Sequence, residues 1–367
     1  MSATRVIVDL SAIERNIGFV RQGLGPETGM IAVVKANAYG HGMFEVARRA
    51  LGCGVSMLAV ATDAEGAQLR EAGIGAPVLV LGGLLPQCAP TLLKHRLIPA
   101  VYTSEMIYAL SKAAAPDRAV PIHIKIETGM NRSGARPGRE LSALLEALWE
   151  CPRVRLTGMF SHFAAAEEAD DSFTRRQYDV FRQAAEQARE AGFSPRLHIG
   201  NSAAAMRHAF AHMDWVRLGI VMYGLDPAGD ANPNLQPALS WITRIVCLKR
   251  IEAGETVGYG RTYTATGPRT IATLPVGYAD GYRRAFGGRA DVLIGGRRAP
   301  VVGLVCMDQC MADVSGIPGV KVGDEAVLLG KQADEEITAG ELAAIAHTIH
   351  YEIVTCIGPR IPRIHHG

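Results

Sequence analysis

The sequence predicts two domains: an N-terminal (β/α)8 barrel of the TIM type and a mostly β C-terminal domain. Three observations lead there. The first two-thirds of the 367 residues alternates short β-branched runs with amphipathic stretches. Eight strand candidates recur in units of about 25 residues, and that regularity favours a closed barrel over a doubly wound open sheet. After Gly224 the texture changes, with a turn-rich stretch at Asp226–Asn234 followed by β-rich segments punctuated by Gly254, Gly267, Gly281 and Gly295-Gly296. The barrel is placed over residues 1–230 and the β domain over 231–367.

An opening strand at Val6–Leu10 leads into a helix from Ser11. The eight barrel strands are expected at Met30–Lys35, Met57–Ala61, Pro77–Leu81, Ile98–Tyr102, Pro121–Glu127, Val154–Ser161, Pro195–Gly200 and Trp215–Ile220. Between them Phe44–Leu51, Ala64–Ala72, Glu105–Ala114 and Phe173–Ala191 read as helices. In the second domain Leu239–Ile251, Thr256–Ala265, Thr270–Val276, Ala290–Ile294 and Pro300–Val314 read as strands, with one helix at roughly Ala339–Ile349.

Composition narrows the function classes. The 38 basic and 36 acidic residues leave a net charge of +2, and the basic pairs Arg48-Arg49, Arg175-Arg176 and Arg297-Arg298 are scattered. Without a basic stripe, nucleic acid is not an expected partner. The seven cysteines are odd in number and contain no Cys-x-x-Cys pair. Free thiols are therefore expected rather than disulfides or a metal site. No signal-like N-terminal core and no apolar run of membrane-spanning length is present, so the expected location is cytoplasmic, without membrane attachment.

Barrel enzymes carry their reactive groups at the C-terminal ends of the strands. Lys35 ends the first expected strand, Arg132 follows the fifth, His162 ends the sixth, Asn201 and Ser202 end the seventh, and Arg217 lies in the eighth. A lysine ending Ile31-Ala-Val-Val-Lys35 has two readings. Burial can depress its pKa and suit it to Schiff-base chemistry, or its stem can snorkel to solvent. The strand alone does not choose between them.

The segment Val34-Lys-Ala-Asn-Ala-Tyr-Gly-His-Gly42 resembles the cofactor-lysine signature of the alanine racemase family of pyridoxal-phosphate enzymes. The resemblance runs through nearly the whole chain. It continues in Ile126-Glu-Thr-Gly-Met-Asn-Arg132, Ser161-His-Phe163, Asn201-Ser202, Arg217-Leu-Gly-Ile220-Val-Met-Tyr-Gly224, Gly258-Tyr-Gly260, Gly277-Tyr-Ala-Asp-Gly281 and Cys306-Met-Asp-Gln309. It implies interconversion of L- and D-alanine through two opposed bases, whether to supply D-alanine for peptidoglycan or to catabolise it.

In that reading Lys35 holds pyridoxal 5'-phosphate and is one base, and Tyr259 is the other. Tyr39, Asn201, Ser202, Gly219 and Ile220 hold the cofactor, chiefly its phosphate. Arg217 faces the pyridine nitrogen, where a guanidinium cannot give up a proton and the ring is a weaker electron sink; taken alone, Arg217 could equally be an interfacial ion pair. His162 and Arg217 relay a hydrogen bond toward Tyr259, because a phenol with pKa about 10 is a poor base unaided. The resemblance further implies a homodimer in which Tyr259 and Met307 act on the partner's site. Arg132 and Met307 meet the substrate carboxylate, Tyr278 and Asp308 border the access channel, and Lys125 is the position that relatives carbamylate.

Two departures stand out. Leu304 replaces an expected arginine, and Pro359 falls where a phosphate-binding tyrosine is expected. A lost charge and a lost phenol would widen the pocket, so a serine or broad-range racemase is the alternative. A decarboxylase of basic amino acids shares the architecture, but its cofactor environment would favour a carboxylate over Arg217. A non-catalytic pyridoxal-phosphate carrier is the remaining alternative, and it has no need of a second base.

Overall fold

The computed structural model describes residues 3–229 and 232–367. The expected domain boundary at 230/231, and Met1 and Ser2 of the opening segment, lie outside them. Strand β1 (Arg5–Asp9) is followed by eight parallel strands: β2 (Gly29–Val33), β3 (Met57–Val60), β4 (Val78–Val80), β5 (Ile98–Val101), β6 (Val120–Lys125), β7 (Val154–Phe160), β8 (Arg196–His198) and β9 (Trp215–Leu218). They pair in the order β8-β7-β6-β5-β4-β3-β2-β9. The two ends of this sheet meet where Arg217 N donates to Gly200 O at 2.9 Å and Asp214 N to Leu197 O at 3.1 Å, so the barrel is nearly closed. Helices at Met43–Gly52, Asp63–Glu71, Ser104–Ala113, Arg139–Glu150 and Ser172–Glu190 pack on its outside and bury their apolar faces.

Strand alternation sorts the barrel residues. Ile31, Val33, Met57, Ala59, Leu79, Ile98 and Trp215 form one buried cluster, whereas Met30, Ala32, Leu58, Val60, Val216 and Leu218 belong to the large cluster shared with the helices. The first set is the barrel interior and the second is the helix-facing layer, as a period of two requires.

The strands of the second domain are β10 (Leu239–Arg244), β11 (Cys247–Ile251), β12 (Thr256–Val257), β13 (Tyr263–Thr264), β14 (Arg269–Leu274), β15 (Asp291–Ile294), β16 (Arg297–Val302), β17 (Cys310–Asp313), β18 (Glu325–Gln332), β19 (Glu335–Ile337) and β20 (Arg363–His366). Together with β1 they form a sheet ordered β11-β14-β17-β16-β15-β18-β10-β1-β20, with β19 on β18, while β12 and β13 pair separately with each other. Three expected long strands are each divided. Leu239–Ile251 breaks at a corner where Ile245 N bonds Asp324 O and Val246 N bonds Thr273 O, so β10 and β11 pair with different neighbours. Thr256–Ala265 breaks at a turn around Tyr259, and Pro300–Val314 opens into a loop bearing Met307 and Asp308. The expected C-terminal helix is two short ones, Ala339–Ile345 and His350–Thr355.

Strand β1 belongs to this second sheet. It runs antiparallel to β10 and parallel to β20, with Val6 and Val8 fully buried. Strands β1 and β20 thus share one sheet, and from β1 the chain passes into the barrel. Among the described residues no helix is long and apolar enough to cross a membrane.

Candidate active site

The inward rows turn polar toward the C-terminal ends of the strands. His123 and Lys125 on β6, His198 on β8 and Arg217 on β9 are all buried. Lys35 continues the inward row of Ile31 and Val33. These groups border a cavity of about 610 Å³ at the barrel mouth, which Lys35, Tyr39, Lys125, Arg132, His162, Asn201, Ser202, Arg217, Gly219 and Ile220 all line.

The backbone after Lys35 is unusual. Ala36, Asn37, Ala38 and Tyr39 have φ between 52° and 54°, one turn of left-handed helix. For non-glycine residues this costs roughly 1–2 kcal/mol each, so surrounding groups must hold it. His41 Nδ1 reaches Ala38 O at 3.1 Å and Tyr39 O at 2.9 Å, and Asn37 Oδ1 accepts from Met43 N. From the second domain, Arg363 Nε donates to Gly40 O at 3.0 Å. Gly40, at φ 85°, leaves no room for a side chain, since a Cβ would lie 2.2 Å from Val354 O. The turn brings Tyr39 back over the strand ends. Burial, with Arg132 and Arg217 nearby, holds the Lys35 amine below its ordinary value, only partly offset by Glu65.

Arg217 organises the floor. Its Nη2 donates to Ser161 O at 2.8 Å, Ile199 O at 2.9 Å and His162 Nδ1 at 2.9 Å; Nη1 donates to His198 Nδ1 at 2.9 Å. A guanidinium only donates, so both imidazoles accept at Nδ1 and carry their proton on Nε2. His198 Nε2 then donates to His123 Nδ1 at 3.0 Å. One charge fixes three tautomers. Burial and the adjacent cation keep these rings neutral: His162 and His198 lie well below the usual histidine range, and His123 is pushed down to about 3. Arg217, pulled down to about 9 by burial and Arg132, stays protonated at neutral pH. Among the described residues its Nε has no protein acceptor.

These depressed values make a stability prediction. A base whose folded pKa lies below its unfolded value near 6.5 contributes stability above that value and loses it as pH falls toward the folded pKa. Between pH 7 and pH 5, before most carboxylates protonate, keeping His123 neutral should cost about 2 kcal/mol, and His162 and His198 should add to the loss in the same direction. Denaturant midpoints at the two pH values, with His123→Gln as comparison, measure this. A wild-type midpoint that does not fall, or falls equally in the variant, contradicts neutral burial.

At the ends of β8 and β9 the chain forms a small polar cradle. Ser202 Oγ accepts from Gly219 N at 2.9 Å, leaving the hydroxyl hydrogen free to donate. Asn201 Oδ1 caps the helix Ser202–Arg207 through Ala204 N at 3.1 Å. A Cβ on Gly219 would sit 2.9 Å from Tyr39 Oη and 3.5 Å from Ser202 Oγ, filling the cradle. The expected loss of a phenol at Pro359 is corrected here: Tyr351, on the helix His350–Thr355, lines the cavity with its ring 6.2 Å from that of Tyr39. Leu304 lies against the turn around Tyr259 and does not line the cavity.

In the same cavity, Lys125 Nζ donates to Ser133 Oγ, and burial with Arg132 lowers its amine to about 8. His123, His198 and Tyr351 were missed in the sequence reading. The inward parity of Ile122-His-Ile-Lys125 and Leu197-His198 could have disclosed the two histidines. Nothing local could have disclosed Tyr351, which reaches the cavity from the other domain.

Tyr259, Tyr278, Met307 and Asp308 are absent from the cavity lining. They gather on the second domain instead. Tyr259 and Cys306 share a shallow depression, Tyr278 N bonds Cys306 O, Ala279 N bonds Met307 O, and Asp308 is tied by Arg360 to Asp280. Tyr259 is 70% exposed and Met307 53% exposed. Within one chain, Lys35 and Tyr259 do not share a site.

The family model for the alanine racemase N-terminal domain matches residues 8–227, and that for the alanine racemase C-terminal domain matches 238–365. The chain is 44% identical over 360 residues to the alanine racemase of Halothermothrix orenii, covering 97% of this chain and 95% of that one. It is 45% identical over 371 residues to that of Symbiobacterium thermophilum, covering 100% and 98%. Among solved structures, alanine racemase from Bacillus anthracis with bound L-Ala-P superposes with a TM-score of 0.95 at 38% identity, covering 100% of this chain and 96% of that one. The E. faecalis alanine racemase gives 0.93 at 35% identity, covering 100% and 98%.

Proposed function

The chain belongs to the alanine racemase family, and from that premise we propose that it interconverts L- and D-alanine with pyridoxal 5'-phosphate held at Lys35. The observation that carries the reading is the cavity at the barrel mouth, where an inward lysine of lowered pKa, a cationic floor and a small polar cradle meet. The cradle of Tyr39, Ser202, Gly219 and Ile220, beside the Asn201 that caps the helix Ser202–Arg207, suits a phosphate. When bound, the cofactor draws electrons from the α-carbon of an amino acid and so acidifies its hydrogen.

The chain's own groups supply the rest. Lowered pKa gives the Lys35 amine a larger neutral fraction, as a nucleophile or base needs. Arg217 Nε is free to donate to an acceptor nitrogen in the cavity while keeping its own proton, which limits electron withdrawal. Arg132, with the backbone N–H of Met307 from a second copy, meets the substrate carboxylate. Tyr259 of that second copy exchanges a proton with the face opposite Lys35. Its phenolate would accept from His162 Nε2–H, the tautomer Arg217 enforces, which eases the phenol's proton away.

Tyr278 and Asp308 of the second copy would border the access channel. Lys125, with its amine near 8, is the candidate to take up carbon dioxide and face Arg132 as an anion. A ¹³C-carbamate signal that vanishes in Lys125→Ala checks it. We place the enzyme in the cytoplasm as a homodimer, with seven free thiols.

The test is direct. Purified protein should be yellow and should racemise alanine in a chiral assay. Borohydride should then fix the cofactor covalently to the peptide carrying Lys35. An adduct on another lysine, or none, contradicts the assignment.

A further inference from the structure

The carboxylate of Glu65 bridges three backbone amides. Its Oε1 accepts from Ala36 N at 2.7 Å, the residue after Lys35; its Oε2 accepts from Ala61 N at 2.7 Å and Thr62 N at 3.2 Å. Ala36 opens the left-handed turn, and Ala61 follows β3, the strand paired beside β2. Glu65 is itself held, because its amide donates to Thr62 Oγ1 at 3.2 Å in the capping box of the helix Asp63–Glu71. A rigid helix start therefore presents a carboxylate to the first amide of a backbone segment that four non-glycine residues would otherwise abandon.

We propose that Glu65 is a positioning residue for Lys35: its carboxylate ties the start of the left-handed turn to the end of β3 and sets a negative charge at the amide that follows the lysine. This rests on the reading of Lys35 as the cofactor lysine. The charged and titratable groups acting on the Lys35 amine are Arg132 from the loop after β6 and Arg217 from β9, both cationic, and Glu65 from the helix after β3. Lys125 and His162 are coupled to the same amine. Glu65 is the one acidic group among them. Serving the lysine and not the phenol, it should favour one enantiomer's proton transfer over the other's.

Two measurements test this. In cofactor-stripped full-length protein, reductive methylation of Lys35 is followed against pH by peptide mass spectrometry, with Lys94 and Lys249 as internal references. In Glu65→Gln the methylation midpoint of Lys35 should fall below the wild-type value, because the anion is gone while the two arginines remain. In Thr62→Ala, which weakens the same helix cap but keeps the carboxylate, it should stay at the wild-type value. A midpoint that does not move in Glu65→Gln, or that rises toward the value of about 10.4 for an exposed lysine, overturns the proposal.

In the loaded enzyme, Glu65→Gln should slow α-hydrogen exchange of D-alanine with deuterated water at least about ten-fold more than that of L-alanine. Equal slowing means general disruption and overturns it as well. Failure of the underlying reading is separate, since it would show as a wild-type borohydride adduct away from Lys35.

Discussion

Tyr259→Phe should abolish net racemisation in both directions while D-alanine still exchanges its α-hydrogen with deuterated water. A full turnover requires a proton removed on one face of the α-carbon and returned on the other, so losing either base stops it. Exchange without inversion needs only the base on its own face. With Lys35 serving D-alanine, that exchange survives in the variant, whereas exchange from L-alanine falls by on the order of a hundred- to ten-thousand-fold. Proton NMR of each enantiomer in deuterated buffer measures both rates. Equal residual exchange from the two would mean a single base serves both faces.

Mixing Lys35→Ala with Tyr259→Phe protein should restore activity that neither has alone. In one chain Lys35 lines the barrel cavity, while Tyr259 stands exposed on the second domain among Cys306, Tyr278 and Met307. If Tyr259 completes the partner's site, every mixed dimer holds one site with both bases and one with neither. Random exchange of equal amounts makes half the dimers mixed, so recovery should approach about a quarter of wild-type activity. Tagged subunits verify that exchange occurred. Exchange without recovered activity would place both bases in one chain.

Much of this was legible in the residues. Each barrel strand lies within about two or three residues of its expected span, because Val/Ile-rich runs bounded by turn residues are a local signal. The second domain was read less well. Its long expected strands break at Gly258-Tyr259-Gly260 and after Val302, where the chain turns back to pair with itself, and at Ile245-Val246, where it turns a corner to a new sheet partner. Such corners follow from which strands pair, and that is settled by residues far along the chain. The strand β18, with an uneven alternation of burial, went unseen for a related reason: it is defined by its pairing with β10, β15 and β19.

Sequence alone determined the two-part architecture, the family, and the identity of Lys35, Arg217 and Tyr259 as residues to watch. These rest on periodicity and on short motifs, both local properties of the chain. Only the tertiary structure decided that β1 joins the second domain's sheet and that Tyr351 brings a phenol into the cavity that Pro359 does not reach, whereas the separation of Lys35 and Tyr259 within one chain is what the resemblance implied. It alone extended the His162–Arg217 pair, which the resemblance implied, through His198 to His123, with each link at 3.0 Å or less. A tautomer is set by which donor lies within hydrogen-bond reach, and reach is a through-space quantity that no motif encodes.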